Sequence, residues 1–238
     1  MNAFDIAALS MDTDMQRLAN IGQNLANIQT GGYKRVVVAQ RPFSETMAAI
    51  DSTRGTPDTA LDTTAGALRA STNPLDLAVD GDGFFEFESP QGPALSRQAM
   101  LHVDGQGRLV NDAGLAIRGD RGDLRIPTPA NNLRIDAQGE VWVDDRSLGK
   151  LQLSRVGNPT ALQPLGGGLY RPAADDAAQP IDTPRVLSGQ REGSNVSSSA
   201  EMVRLMETSR HFEAMAKVVQ GYDDAMDKAI RKLGDLGT

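Results

Sequence analysis

The residue types that most often carry chemistry are sparse and poorly grouped in this sequence. Asp80-Gly-Asp-Gly83 resembles the start of a calcium loop, but an EF-hand requires another oxygen ligand where Phe84 stands. A tight turn leading into a strand is therefore the preferred interpretation. His102 and His211 have no histidine or carboxylate four residues further on to complete a metal chelate. We predict no metal site and no cofactor.

Other short matches to reactive motifs are equally weak. Arg121-Gly-Asp123 spells an adhesion tripeptide, but Gly-Asp is common in turns. The glycine run Gly166–Gly168 lacks the Lys-Ser/Thr of a phosphate-binding loop, and the serines do not lie in a nucleophile elbow. The sequence contains no cysteine, which excludes a thiol nucleophile and a disulfide framework. We therefore predict that the protein is not an enzyme and has no catalytic residue.

The charge and hydrophobicity of the chain narrow the classes of partner. The formal net charge of −7 at pH 7 disfavours binding to nucleic acid or to an anionic membrane surface. No apolar stretch approaches the roughly 20 residues of a membrane helix, so no membrane insertion is expected. The first ten residues contain Asp5 and neither lysine nor arginine, unlike a secretory signal peptide. We expect the chain to stay in the cytoplasm or to leave it without a cleaved signal.

An amphipathic helix is predicted at the N-terminus. Apolar residues follow one another at alternating steps of three and four, the spacing of a single helical stripe. The pattern ends at Thr30-Gly31-Gly32, where two glycines favour termination of a helix. The stripe consists of Phe4, Ala8, Met11, Met15, Leu18, Ile21, Leu25 and Ile28.

A second amphipathic helix is predicted at the C-terminus. Ser198 and Glu201 have the spacing of a capping box, and Gly234 and Gly237 mark the end. Both stripes are narrow and have a period close to 3.5, which is typical of coiled-coil-like helices. The second stripe consists of Met202, Leu205, Phe212, Ala216, Val219, Tyr222, Met226, Ile230 and Leu233.

The centre of the chain has the pattern of a β-rich domain. Short runs such as Phe84–Glu88 and Glu140–Val143 alternate with Asp, Asn and Gly turns. The predicted fold class is a mainly β central domain with N- and C-terminal α-helices that pair as a coiled-coil-like layer. The predicted division is a helical assembly domain of 1–35 and 196–238, a linker or extended arm of 36–72, a β-rich domain of 73–185 and a return linker of 186–195.

Three stretches of the sequence resemble the flagellar rod and hook proteins. Asn20–Arg35 is similar to the N-terminal signature of that family, in which a helix ends in Asn-Leu-Ala-Asn and a Thr-x-Gly-Phe-Lys-like turn follows. Asn73–Phe85 is similar to its central motif, and Glu192–Val196 to its C-terminal motif. Tyr33 stands where phenylalanine is usual, and Gly22-Gln23 replaces a more apolar pair. The three motifs span most of the chain.

The resemblance implies a structural subunit of the flagellar basal-body rod, a hollow helical drive shaft that crosses the periplasm and transmits torque. Family members are exported unfolded by the flagellar type III apparatus and pack their terminal helices around the export channel. The implied partners are other rod subunits, copies of the same chain and the export machinery. The candidate assembly residues are Phe4, Met11, Met15, Leu18, Ile21, Asn24, Leu25, Asn27, Ile28, Met202, Leu205, Phe212, Val219, Met226 and Ile230.

Alternatives remain at this stage. Within the family, the short segment between Arg35 and Asn73 and the stretch Arg210–Val219 favour the proximal-rod type over the distal-rod type. Outside it, the same pattern fits a coiled-coil adaptor with a β-rich binding domain, or a β-rich enzyme with helical extensions. The two helices could also form a simple intramolecular pair that caps the β domain.

Overall fold

The protein is mostly β-structure with one long helix at each end. The computed structural model describes residues 3–38, 59–127, 130, 132–173 and 176–235. Helix α1 spans Ala3–Ala26 and helix α2 spans Ser198–Asp235. These bounds confirm the prediction of a mainly β centre between terminal helices. Neither helix of the described chain combines the length and apolarity that crossing a bilayer requires.

Two compact units divide the chain. The helical unit comprises Met1–Ala26, Val36–Thr59 and Ser197–Thr238, and the β unit comprises Asn27–Arg35 and Ala60–Val196. The sequence motifs are therefore split, because α1 belongs to one unit and the turn after it to the other. The middle of the predicted linker, 39–58, lies outside the described residues.

Short strands make up the β-structure. Their bounds are β1 Val36–Val38, β2 Thr59–Leu61, β3 Leu68–Ala70, β4 Asp76–Val79, β5 Phe84–Ser89, β6 Gly92–Ser96, β7 Gln98–Met100, β8 His102–Val103, β9 Leu109–Val110, β10 Arg118–Gly119, β11 Gly122–Asp123, β12 Leu133–Ile135, β13 Glu140–Val143, β14 Arg146–Lys150, β15 Leu153–Arg155, β16 Gln163–Gly166, β17 Leu169–Arg171, β18 Gln179–Pro180, β19 Val186–Ser188 and β20 Gln190–Glu192. A 3₁₀ turn lies at Pro159–Ala161.

The largest sheet of the β unit has the order β16-β17-β6-β5-β15-β18, and two three-stranded sheets have the orders β19-β4-β7 and β12-β13-β14. Strands also occur where the sequence suggested linkers, since β3 pairs antiparallel with β20. Alternating apolar residues bury one face of these sheets in a common core that includes Leu77, Phe85, Phe87, Val141 and Leu153.

Three hairpin turns share one side-chain geometry. Asp104, Asn111 and Asp136 each accept hydrogen bonds at Oδ1 from the backbone N–H groups two and four residues later, over 2.8–3.1 Å. Such Asx turns satisfy backbone donors that the strands leave unpaired. The residue three positions after each acceptor is a glycine with positive φ: Gly107 at 77°, Gly114 at 74° and Gly139 at 76°. The sequence motifs that predicted turns thus correspond to real ones.

Two of these glycines form a matched test of backbone crowding. A Cβ at Gly107 would lie 2.7 Å from the Ile126 carbonyl oxygen, whereas nothing lies within 4 Å of one at Gly114. Gly114→Ala should cost about 1 kcal/mol, because an L-residue is strained at positive φ. Gly107→Ala should cost roughly 1–3 kcal/mol more, because the backbone of Ile126 must also move. Urea unfolding followed by the fluorescence of Trp142, the single tryptophan, measures both; equal losses would contradict the argument.

Candidate assembly site

Helices α1 and α2 contact each other within the helical unit in an antiparallel arrangement. The rings of Phe4 and Tyr222 lie 6.3 Å apart between centroids. Asp14 Oδ2 lies 2.5 Å from His211 Nδ1, and Asn24 Nδ2 lies 3.4 Å from Glu201 Oε2. Residue numbers rise along one helix while those of the partners fall along the other, which defines the antiparallel direction.

The less exposed side chains of both helices include a series spaced alternately by four and three residues. Such spacing keeps one side of each helix directed at its partner. On α1 the series is Ala7, Met11, Asp14, Leu18, Ile21 and Leu25, and on α2 it is Glu201, Leu205, Thr208, Phe212, Met215, Val219 and Tyr222.

The candidate residues from the sequence differ widely in exposure. Ile21 and Asn24 are buried, and the half-buried group comprises Met11, Leu18, Leu25, Asn27, Ile28, Leu205, Phe212 and Val219. The exposed group comprises Phe4 at 42%, Met15 at 54%, Met202 at 48%, Met226 at 48% and Ile230 at 64%. The two helices thus bury part of the predicted stripes against each other and leave the rest uncovered.

Polar residues of the helix contact were missed by the search for apolar periodicity. Asp14 is 1% exposed and also accepts from Arg17 Nη1 at 3.4 Å. Glu201 is 1% exposed and pairs with Arg204 as well as with Asn24. The positions of Asp14 and Glu201 in the two series, with their steps of four and three, are the sequence feature that could have identified these contact residues.

Asn24 has a second role in the helical unit. Its side-chain amide donates from Nδ2 to the Val36 carbonyl and accepts at Oδ1 from the Val36 N–H, each over 2.9 Å. This pair of bonds imitates the pairing of a neighbouring strand. The chain is thereby held in a fixed return after the turn that follows α1.

The N- and C-terminal motifs meet inside the β unit. The Gly32 N–H donates to the Glu192 carbonyl over 2.8 Å, and the Asn195 N–H donates to the Tyr33 carbonyl over 3.3 Å. The Arg35 N–H donates to Asn195 Oδ1 over 2.7 Å. We call this pairing of residues 32–35 with residues 192–195 the junction.

An ionic cluster underlies the junction. Glu192, 1% exposed, accepts from Lys34 Nζ at 2.6 Å and from Arg97 Nε at 3.0 Å. The Arg97 guanidinium also donates to the carbonyl oxygens of Gly81 and Gly83 over 2.7 and 2.5 Å. Each buried charge thus has an opposite charge or several hydrogen bonds, as burial at low dielectric requires.

Burial perturbs two titratable groups beside the junction. It lowers the pKa of the Lys34 amine, while the hydrogen bond and negative charge of Glu192 oppose the shift. It raises the pKa of the Tyr170 phenol, whose oxygen accepts from the Lys34 N–H and whose O–H donates to the Gly32 carbonyl. Tyr170 therefore remains a neutral hydrogen-bonding group in the folded β unit.

The site consists of apolar helix contacts and buried ion pairs. Within the described residues, no three histidine or acidic side chains group to hold a metal ion. Lys34 and Arg97 each form an ion pair with Glu192. The helices present apolar surface, and the junction joins parts of the chain that are far apart in sequence.

Comparison with known families agrees with this organisation. A family described as "Flagellar hook protein FlgE/F/G D1 domain" matches residues 78–143. A second, described as "Flagellar basal body rod FlgEFG protein C-terminal", matches residues 187–232. The first covers the β unit from the end of β4 through β13, and the second covers most of β19, β20, the C-terminal motif and most of α2.

Whole-length relatives include basal-body rod proteins of two types. The chain is 29% identical to the FlgG protein of Agrobacterium fabrum, over 94% of this chain and 96% of the relative. It is 29% identical to FlgG of Bacillus subtilis, over 90% and 92%. It is 26% identical to FlgF of Caulobacter vibrioides, over 99% of both chains. The chain is thus similar, along nearly its whole length, to flagellar basal-body rod proteins.

Proposed function

We propose that this chain is a structural subunit of the bacterial flagellar basal-body rod. In this proposal it polymerises with copies of itself and with other rod subunits into the hollow helical shaft that transmits torque. The terminal helices supply the inner, coiled-coil-like layer around the export channel. The chain acts through its packing surfaces and performs no catalysis.

The observation that carries the proposal is the location of the exposed apolar side chains. Among the described residues, large exposed apolar side chains outside the helices are Leu68, Val103 and Leu165. The helices carry the others, including Ile6, Leu9, Met15, Met202, Val203, Met206, Val218, Met226 and Ile230. Concentrated apolar exposure on one part of a protein marks a surface for association.

The α2 series indicates where further packing would occur. Met226 and Ile230 continue the helical face that bears Phe212, Val219 and Tyr222, but they follow the contact of Tyr222 with Phe4 near the start of α1. Each buried Met or Ile side chain contributes about 1.5–3 kcal/mol when a neighbour covers it. A neighbouring subunit supplies that cover in a filament with non-closing interfaces.

Coupling of helix order to assembly fits export through a narrow channel. A pair of helices buries one face of each, and isolated helices are marginal in water. The chain therefore travels unfolded through the flagellar type III apparatus, and its helices become stably ordered on incorporation into the periplasmic rod. The proximal-rod type, FlgF, remains our choice, with FlgG second.

Motility of a bacterium that lacks its own copy of this protein tests the proposal. The wild-type chain should restore swimming, whereas Met226→Lys/Ile230→Lys should not, because two ammonium groups would have to be desolvated at the subunit contact. Val103→Lys, which changes an apolar residue of 39% exposure in the β unit, is the matched control and should swim. Amounts of exported protein are measured for all three.

Hydrogen exchange on the purified monomer supplies the second test. Amides of α1 and α2 should exchange fast and those of the strands β5 and β6 slowly. Slow exchange in both helices together with a small defined oligomer would support a coiled-coil adaptor instead. Wild-type swimming by the double lysine variant would overturn the proposed contact.

A further inference from the structure

The junction brings together the two points at which the chain enters and leaves the β unit. Residues 32–35 follow the turn after α1, and residues 192–195 precede α2. The backbone bonds between the two stretches, with donors at Gly32 and Asn195, join positions separated widely in sequence. Both helices therefore connect to the β unit through segments that lie side by side.

The Asn195 side chain makes several hydrogen bonds across this pairing, whereas a residue has one backbone N–H donor. Its Oδ1 accepts from the Arg35 N–H at 2.7 Å. Its Nδ2 donates to the carbonyl oxygens of Asp62 and Thr64 over 2.8 and 3.1 Å. One side chain thus joins the entering segment, the departing segment and the loop after β2 that contains Asp62 and Thr64.

We infer that Asn195 is a positioning residue that holds the two exits of the β unit together, so that pairing of α1 with α2 begins at the junction. With the exits joined, the first contact to form is the one nearest to the junction along the chain, between Asn24 and Glu201. Contacts then follow toward Asp14 with His211 and finally Phe4 with Tyr222. Because the exits are joined, α1 and α2 begin at neighbouring points, and the effective concentration of one helix at the other is high.

In the monomer, where the helices pair only transiently, Asn195 gives the C-terminal motif a role before the assembly that the proposed function requires. This role depends on pairing of the helices within one chain and not on contacts between subunits. The motility test changes Met226 and Ile230, which are exposed and lie outside the junction. Failure of that test and failure of the Asn195 test can therefore be distinguished.

A cysteine pair measures the pairing directly, since the natural sequence has no cysteine. Phe4→Cys/Tyr222→Cys places two thiols at the end of the helix contact farthest from the junction. The monomer is equilibrated in glutathione buffers, and the ratio of disulfide to thiol gives the effective concentration of the pair. Adding Asn195→Ala should lower that concentration about tenfold, which corresponds to the net loss of roughly one hydrogen bond, since the bonds that Asn195 makes are part-buried or exposed.

Asn73→Ala is the matched control because Asn73 also organises backbone in the β unit. Its Oδ1 accepts from the Leu75 N–H at 3.1 Å, far in sequence from the junction. Asn73→Ala should leave the effective concentration within about twofold. Equal reductions by both substitutions, or no reduction by Asn195→Ala, would overturn the inference.

Fluorescence of Trp142 verifies that the β unit of each variant is folded. If Asn195→Ala unfolds it, Asn195→Asp has the same shape and retains the acceptor for Arg35, but it places a carboxylate oxygen against the carbonyls of Asp62 and Thr64. This variant should also lower the effective concentration about tenfold. An unchanged value in a folded Asn195→Asp protein would contradict the assigned role.

Discussion

Replacement of Glu192 by glutamine should lower the free energy of unfolding of the β unit by about 3–5 kcal/mol, because two buried cations would lose their carboxylate. Lys34 and Arg97 are 3% and 7% exposed, so water cannot replace the lost charge. An amide oxygen accepts a hydrogen bond but carries no compensating charge. Urea unfolding monitored by Trp142 fluorescence measures the change.

Two further variants distinguish the effect of the lost buried charge from the effect of the glutamate-to-glutamine change itself. Glu88→Gln makes the same chemical change at an exposed position of β5 and should alter stability by less than about 0.5 kcal/mol. Lys34→Met combined with Glu192→Gln removes one of the unpaired cations and should restore part of the loss. Equal effects of Glu192→Gln and Glu88→Gln would show that the ionic cluster contributes no stability.

The pH dependence of the Glu192→Gln loss has a defined sign. Burial lowers the pKa of Lys34 below 10.5, so the unfolded chain binds this proton more tightly than the folded chain. Stability therefore rises with pH between the lowered folded-state pKa and 10.5. Without Glu192, which raises the pKa of Lys34, the window widens, and the loss caused by the substitution should shrink as pH increases toward 10.5.

Local patterns in the sequence were sufficient for much of the fold. The helices follow from a period set by side-chain direction, and turns such as that at Asp136 follow from an acceptor and a glycine within four residues. Strand β13, Glu140–Val143, was predicted with the bounds that the structure has. In each case the interactions that determine the conformation lie within a few residues of one another.

The junction could not be predicted in the same way. Lys34 and Glu192 are 158 positions apart in sequence, and neither spacing nor composition indicates that they meet. Lysine and glutamate are also ordinarily surface residues, so the residue types give no sign of burial. Likewise, Asp14 and Glu201 occupy the helix contact, where a search for apolar residues passes over them.

Strands β3 and β20, like the junction, depend on contacts between residues that are far apart in sequence. Both lie in segments that were interpreted as linkers, the first because it is rich in Thr, Asp, Ala and Gly with little periodicity, the second as part of an irregular return to the last helix. Their stability as strands comes from pairing Leu68 with Glu192 and Ala70 with Gln190. Such pairing depends on the fold that brings them together and not on the β-propensity of either segment.

Gly66→Ala should be the most damaging of the small substitutions in this chain, with a loss of roughly 3 kcal/mol or more in the stability of the β unit. A Cβ at Gly66 would lie 1.9 Å from the Gly193 carbonyl oxygen. That oxygen belongs to the main chain of the C-terminal motif, so no side-chain rotation can relieve the clash. The segment at Gly66 must move away from Gly193, and the Gly66 N–H must then leave Glu192 Oε1, to which it donates over 3.1 Å.

The matched control is Gly105→Ala, at an exposed turn position where nothing lies within 4 Å of the added Cβ. It should change the free energy of unfolding by less than about 0.5 kcal/mol. Movement of Gly66 away from Gly193 also removes a hydrogen bond from Glu192. The losses of unfolding free energy caused by Gly66→Ala and Glu192→Gln should therefore be less than additive when the two are combined. Full additivity in that double-mutant cycle would mean that the close backbone approach and the ionic cluster stabilise the junction independently.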